Sequence, residues 1–141
     1  MSIKYKRGAN MFKIAKLEKM ENEKVKIINN NTYISFDIEG TINDEEYSFS
    51  FSLNCGKEEL NELVQSKEID FDKYILPGET FLNVNGIQHI NPMTNFTYDI
   101  KICRWLQSKY IVNISFFSEE GIQNDNIYSG KIEFEFDIDD L

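Results

Sequence analysis

The most regular feature of this chain is the alternation of apolar and polar residues. In "TYISFDIEGTI" (32–42), Ile34, Phe36 and Ile38 alternate with Ser35, Asp37 and Glu39. After the polar break "NDEE", "YSFSFSL" (47–53) alternates Tyr47, Phe49, Phe51 and Leu53 with Ser48, Ser50 and Ser52. Successive side chains on a strand point to opposite faces, so a period of two marks a strand with one buried and one wet face. Two such runs across a short polar break predict an antiparallel hairpin over residues 32–54.

Three later runs repeat the pattern. "FTYDIKICRWL" (96–106) sets Phe96, Tyr98, Ile100 and Ile102 against Thr97, Asp99, Lys101 and Cys103. "KYIVNISFF" (109–117) sets Tyr110, Val112, Ile114 and Phe116 against Lys109, Ile111, Asn113 and Ser115. After the polar loop "SEEGIQNDNIYSG" comes the ending "GKIEFEFDIDDL" (130–141). Here Ile132, Phe134, Phe136 and Ile138 point one way, and Glu133, Glu135, Asp137 and Asp139 the other. One face of this strand is wholly apolar and the other wholly acidic.

The signal is weaker elsewhere. "MFKIAKLEKM" (11–20) predicts a first strand, although Lys16 and Leu17 break the alternation and its composition also fits a helix. "EKVKII" (23–28) extends that strand or starts a second, and "NNN" (29–31) marks a turn. Residues 69–79 connect, with Pro77–Gly78 as punctuation, and residues 91–95 form a loop. "FLNVNGIQHI" (81–90) contains Asn85–Gly86, the pair best suited to a two-residue type I′ turn. It predicts strands over about 80–84 and 87–90; one longer strand bulged at Gly86 is the rival.

One segment changes period. In "GKEELNELVQSKE", Leu60, Leu63 and Val64 fall at i, i+3 and i+4, predicting a helix over about 57–67. Glu58 and Glu59 lie in its first turn and Lys67 near its end, as the helix dipole favours. So short a helix plugs or covers a sheet. The order of elements predicts a mainly β protein, an antiparallel sandwich or partly open barrel of about 7–9 strands, with the helix between strands 3 and 4. The alternative is an α+β sheet with the helix covering one face.

Composition adds a size and a core. With 141 residues, 41% of them hydrophobic, the chain fits a single β-rich domain over 11–141 behind a loose basic N-terminal arm, 1–10. Eleven Phe, seven Tyr and one Trp supply a packed interior. Cys55 and Cys103 lie far apart, and no apolar stretch follows the basic start, so they read as free thiols of a cytoplasmic protein. No apolar run approaches the roughly 18 residues of a membrane span, and no membrane partner is expected. Heavy use of Ile, Asn and Lys accompanies A/T-rich coding DNA, which suggests a bacterial or phage origin.

Charge narrows the partners. The formal net charge is −9, but residues 1–26 carry +5 and the rest −14. So acidic a body repels nucleic acid and anionic membranes and attracts basic partners.

The motifs of common chemistry are absent. His89 is the sole histidine, so a catalytic triad must include it; beside Asn85–Gly86 it reads as an exposed loop-end residue. Cys55 precedes the helix, where a thiol can be activated, but a small side chain at the sheet-to-helix corner is the plainer reading. Cys103 reads as packed in its strand. There is no GxxxxGK[ST] and no GxGxxG, and the glycines read as turn residues. An EF-hand alignment with Asp125 first puts Ile127 third and Phe136 twelfth, and fails. No catalytic, cofactor or metal site is assigned.

The acidic exterior remains. Residues two apart on one strand face are about 7 Å apart, so Glu133, Glu135, Asp137 and Asp139 form a line of like charge. Lys101 and Lys109 are the available counter-charges, and Asp37 and Glu39 add repulsion if they share that face. These six carboxylates are the candidate partner-binding residues. The expected function is a non-enzymatic module that engages and neutralises a basic protein, as immunity or inhibitor proteins do. One alternative is a structural subunit of a phage-like or secretion-type assembly, a homo-oligomer packed through sheet edges. Another is a β-barrel enclosing a small apolar ligand. The competing reading of the acidic face is a solvated sheet exterior.

Overall fold

The structure, a computed structural model, describes residues 17–64, 73–89, 95–119 and 127–141. The expected arm at 1–10, most of the expected strand at 11–20, residues 91–94 of the expected loop at 91–95, and the loop around Asp125 lie outside them. Strands β1 (Glu21–Asn29), β2 (Ile34–Ile42), β3 (Glu45–Leu53), β4 (Phe81–Val84) and β5 (Ile87–His89) form one antiparallel sheet in that order. Strands β6 (Asn95–Leu106), β7 (Lys109–Glu119) and β8 (Ile127–Asp137) form a second. Helix α1 (Lys57–Leu63) lies between β3 and β4 as predicted, although it stops short of the expected 67. The result is an antiparallel sandwich with no closed barrel.

Turn chemistry and apolar pattern set the registers together. β2 and β3 are joined by Asn43 and Asp44 at φ 52° and 65°, the left-handed values a type I′ turn requires. That turn places Phe36 opposite Phe51 and Ile38 opposite Phe49, so the apolar residues of both strands share one face. Asn85 and Gly86 take φ 50° and 86°, and Val84 pairs with Ile87. The pair is therefore a hairpin turn and not a bulge.

The apolar faces of the two sheets meet in one aromatic layer. Phe36 stacks on Phe51 at 4.6 Å and meets Phe136 of the other sheet at 5.7 Å. Phe49 meets Phe96 at 5.9 Å and Phe116 at 5.8 Å. Such ring pairs contribute about 0.5–1.5 kcal/mol each beyond the area they bury. Helix α1 closes one end of the sandwich. Its Leu60 is fully buried, and the Tyr110 hydroxyl of β7 donates to Asn61 Oδ1 at 2.5 Å.

At one edge the sheets are joined by the chain itself. Met20 N donates to Lys131 O at 2.8 Å, and Lys131 N donates to Glu18 O at 2.9 Å, so residues 18–20 run parallel beside β8. The chain then passes into β1 of the other sheet. This crossing needs glycines within strands, which corrects the reading of every glycine as a turn residue. A Cβ on Gly40 would lie 2.5 Å from Met20 Cγ and 2.7 Å from Glu21 O. One on Gly130 would lie 2.6 Å from Ile42 Cδ1.

Candidate interaction surface

Strand β8 is an edge strand, and its outward face carries Glu133 and Glu135, both exposed. Antiparallel pairing alternates the direction of backbone groups along a strand. Lys131 sends its N–H and C=O away from β7, to residues 18–20. By the same alternation Glu133 and Glu135 send theirs to that edge. Among the described residues, the bonds to Lys131 are the backbone bonds made from this side, and the edge beyond them is open. Lys19 Nζ lies 3.6 Å from Glu133 Oε1. Glu135 stands opposite apolar Ile111, with Cys103 beyond it.

The acidic line is shorter than its sequence implies. Asp137 ends β8, and its carboxylate accepts from Asp139 N at 3.0 Å as the chain enters a 3₁₀ turn, Ile138–Asp140. Asp139 therefore leaves the strand face. This backbone hydrogen bond first, then one from the Ser108 side chain, holds the Asp137 carboxyl below its ordinary range; Lys109 and Lys57 act in the same direction.

Asp37 and Glu39 do not join this group. They lie on β2, on the outer face of the other sheet, so the two acidic pairs face away from each other. Their cross-strand neighbours on β1 are Lys26 and Lys24, and on β3 Ser50 and Ser48. Ser50 Oγ donates to Asp37 Oδ1 at 2.5 Å. The six predicted carboxylates thus separate into a pair flanked by lysines, three on β8, and one in the turn.

The residues that sequence reasoning missed lie where β1 passes β8. Beyond the crossing the strands diverge and leave a groove of about 380 Å³ between them. Val25, Ile27, Phe136 and Leu141 give it apolar walls; Glu135, Asp137, Asp140 and Lys109 supply its charge. Glu23 lies nearby: burial pushes its carboxyl up, Lys19 opposes, and Glu133 adds to the rise. The available signal was the alternation of Glu23, Val25 and Ile27 within "EKVKII" and its flank, obscured by the lysines between them.

Other candidate groups take ordinary places. His89 is fully buried, which corrects the expectation of an exposed loop end; its Nδ1 lies 3.0 Å from Ser118 Oγ and its ring meets Tyr128 edge-on. It stands opposite buried Leu82, so its side chain belongs to the core face. Cys55 is buried, and desolvation, with Glu59 adding, pushes its thiol up to about 11, away from a reactive thiolate. Cys103 is exposed rather than packed, because it is out of phase with buried Ile102. A larger hollow of about 660 Å³ lies on the outer face of the five-stranded sheet, lined by polar residues such as Asn22, Glu46 and Asn83. Among the described residues there is no cluster of metal-ligating side chains and no helix long and apolar enough to cross a membrane. Comparison with protein-family models, curated proteins and solved structures finds no match to this chain.

Proposed function

We propose that this chain is a non-enzymatic binding protein that engages and neutralises a basic protein partner through the acidic edge of its three-stranded sheet. The observation that carries the reading is the edge of β8, where Glu133 and Glu135 project from a strand whose backbone, among the described residues, is open on that side. A net charge of −9 steers cationic partners toward the molecule, and local carboxylates orient them. Immunity and inhibitor proteins use the same economy, since fast association matters most when a harmful partner must be captured quickly. Asp37 and Glu39 drop out of the binding set, because they lie on the outer face of the other sheet, away from the β8 edge.

The test is capture from the host with tagged wild-type protein and with the Glu133→Lys, Glu135→Lys double variant. Proteins retained only by wild type are identified by mass spectrometry and titrated at low and high salt. A basic partner whose affinity falls in the variant and in high salt supports the reading. Capture that is indifferent to the charge reversal overturns it.

A second reading, a subunit of a larger assembly, draws on the same open edge, since copies can add strands to one another. It predicts rings or polymers in size-exclusion chromatography and electron microscopy; a strict monomer at high concentration counts against it.

A further inference from the structure

We infer that the partner is recognised as an extended segment of alternating basic and apolar residues, added as a strand to the open edge of β8. This rests on the acidic-edge reading above and goes further, because it specifies a backbone mode of recognition and a sequence pattern. Three features of the edge converge on it. The N–H and C=O groups of Glu133 and Glu135 point outward where residues 18–20 have already shown, at Lys131, that this edge accepts a strand. An added strand continues the sheet, and its backbone groups complete the ladder. Its side chains then alternate between the two faces that β8 itself presents.

On the outer face those side chains lie beside Glu133, Glu135 and Asp137. Lysine or arginine at these positions relieves the mutual repulsion of the carboxylates. On the inner face they enter the groove between β1 and β8, against Val25, Ile27 and Phe136. At about 380 Å³ the groove is within the range of roughly 300–1,000 Å³ that ligand pockets occupy. The span from Glu133 to Asp137 matches a segment of about five residues at ~3.4 Å each. Apolar residues at every second position and cations between them are therefore what this edge selects. A second copy of this chain pairing β8 to β8 is a poor occupant, because its Glu133 and Glu135 would stand against the same two carboxylates.

The test is fluorescence anisotropy of the full-length protein with four labelled synthetic peptides. One alternates Lys and Leu over six residues; one has the same composition in blocks, KKKLLL; two are the alternating peptide N-methylated at every second amide, one in each phase. The alternating peptide is expected to bind at least about tenfold more tightly than the block peptide. Methylation in one phase abolishes binding, and in the other leaves it. Val25→Lys, a partly exposed position in the groove, weakens the alternating peptide, and so does Glu133→Lys with Glu135→Lys.

Equal binding of alternating and block peptides, lost on charge reversal, overturns strand addition while leaving the acidic-edge function standing. Binding that ignores the charge reversal overturns both. Absence of binding by every peptide at low salt overturns strand addition.

Discussion

Strands β2 and β8 read almost alike: "SFDIEG" and "EFDIDD" each alternate large apolar residues with carboxylates. In the fold they differ in everything outside the strand. β2 is second in its sheet, with β1 and β3 on either side, and each of its outward carboxylates faces a lysine on β1 and a serine on β3. β8 is at an edge, faces β7 on one side, and on the other, among the described residues, meets residues 18–20 near its start. The same acidic alternation lies inside a sheet in one place, with a lysine in register opposite each carboxylate, and at a sheet edge in the other, where Lys19 meets Glu133. Charge pattern along a strand says which face is wet; the neighbours across the sheet say whether that charge is already answered.

The largest expected effect on either strand comes from its buried side. Phe36→Ala on β2 removes a fully buried ring that touches Phe51, Phe134 and Phe136, and is expected to cost about 3–5 kcal/mol in urea unfolding. Phe134→Ala on the β8 edge, 8% exposed, falls at or below the lower end of that range. Equal losses would show that the edge is packed as firmly as the middle of the sheet.

Next come the glycines that let the crossing segment pass. Gly40→Ala on β2 meets a backbone oxygen at 2.7 Å and is expected to cost about 1–3 kcal/mol. Gly130→Ala on β8 meets a flexible isoleucine tip at 2.6 Å, the Phe116 ring at 3.0 Å and a backbone oxygen only at 3.1 Å, so it costs less. Thermal or urea unfolding of the two variants ranks them, and the reverse order would contradict the crossing geometry.

Charge reversal separates the two acidic faces directly. Asp37→Lys with Glu39→Lys sets lysines opposite Lys26 and Lys24 and is expected to destabilise by up to about 1 kcal/mol per pair. Glu133→Lys with Glu135→Lys changes stability within about 0.5 kcal/mol. Binding of a basic partner follows the opposite order, lost with the β8 pair and kept with the β2 pair. A joint measurement of unfolding and affinity would expose any other outcome.

The smallest effects are titrations. NMR of the side-chain carboxyls is expected to find Asp137 titrating below the usual carboxylate range and Glu23 above it. The signs for stability are opposite. The folded-state value of Asp137 is depressed, so its contribution is present above its unfolded value, near 4, and lost as pH falls through the folded value. That of Glu23 is raised, so its contribution is full below its unfolded value and lost as pH rises through the folded one. Glu23→Gln should therefore make the protein slightly more stable at neutral pH, and a loss there would remove burial as the cause.

Much of this architecture was legible in the residues. The hairpins at Asn43–Asp44 and Asn85–Gly86 and the core faces of β2, β3, β6, β7 and β8 follow from turn chemistry and a period of two. The helix was legible from Leu60, Leu63 and Val64. Of the candidate surface, Glu133 and Glu135 were visible as exposed acids. Their grouping with Asp37, Glu39 and Asp139 was not correct, because alternation assigns a face within one strand and carries no information about which sheet that strand joins. The burial of His89 was not legible for a related reason: it follows from its place opposite Leu82 across the hairpin, which nearness to a turn does not reveal.

What the sequence alone determined is therefore local: which residues can pair, turn, and face a core. Burial of apolar area favours those choices whatever the topology, so they are written in each segment. The tertiary structure decided the rest: that β8 lies at an edge, that residues 18–20 pair with its start, and that β1 leaves a groove beside it. These depend on contacts between residues more than a hundred positions apart, such as Lys19 and Lys131. No short window of sequence contains both partners, and only packing brings them together.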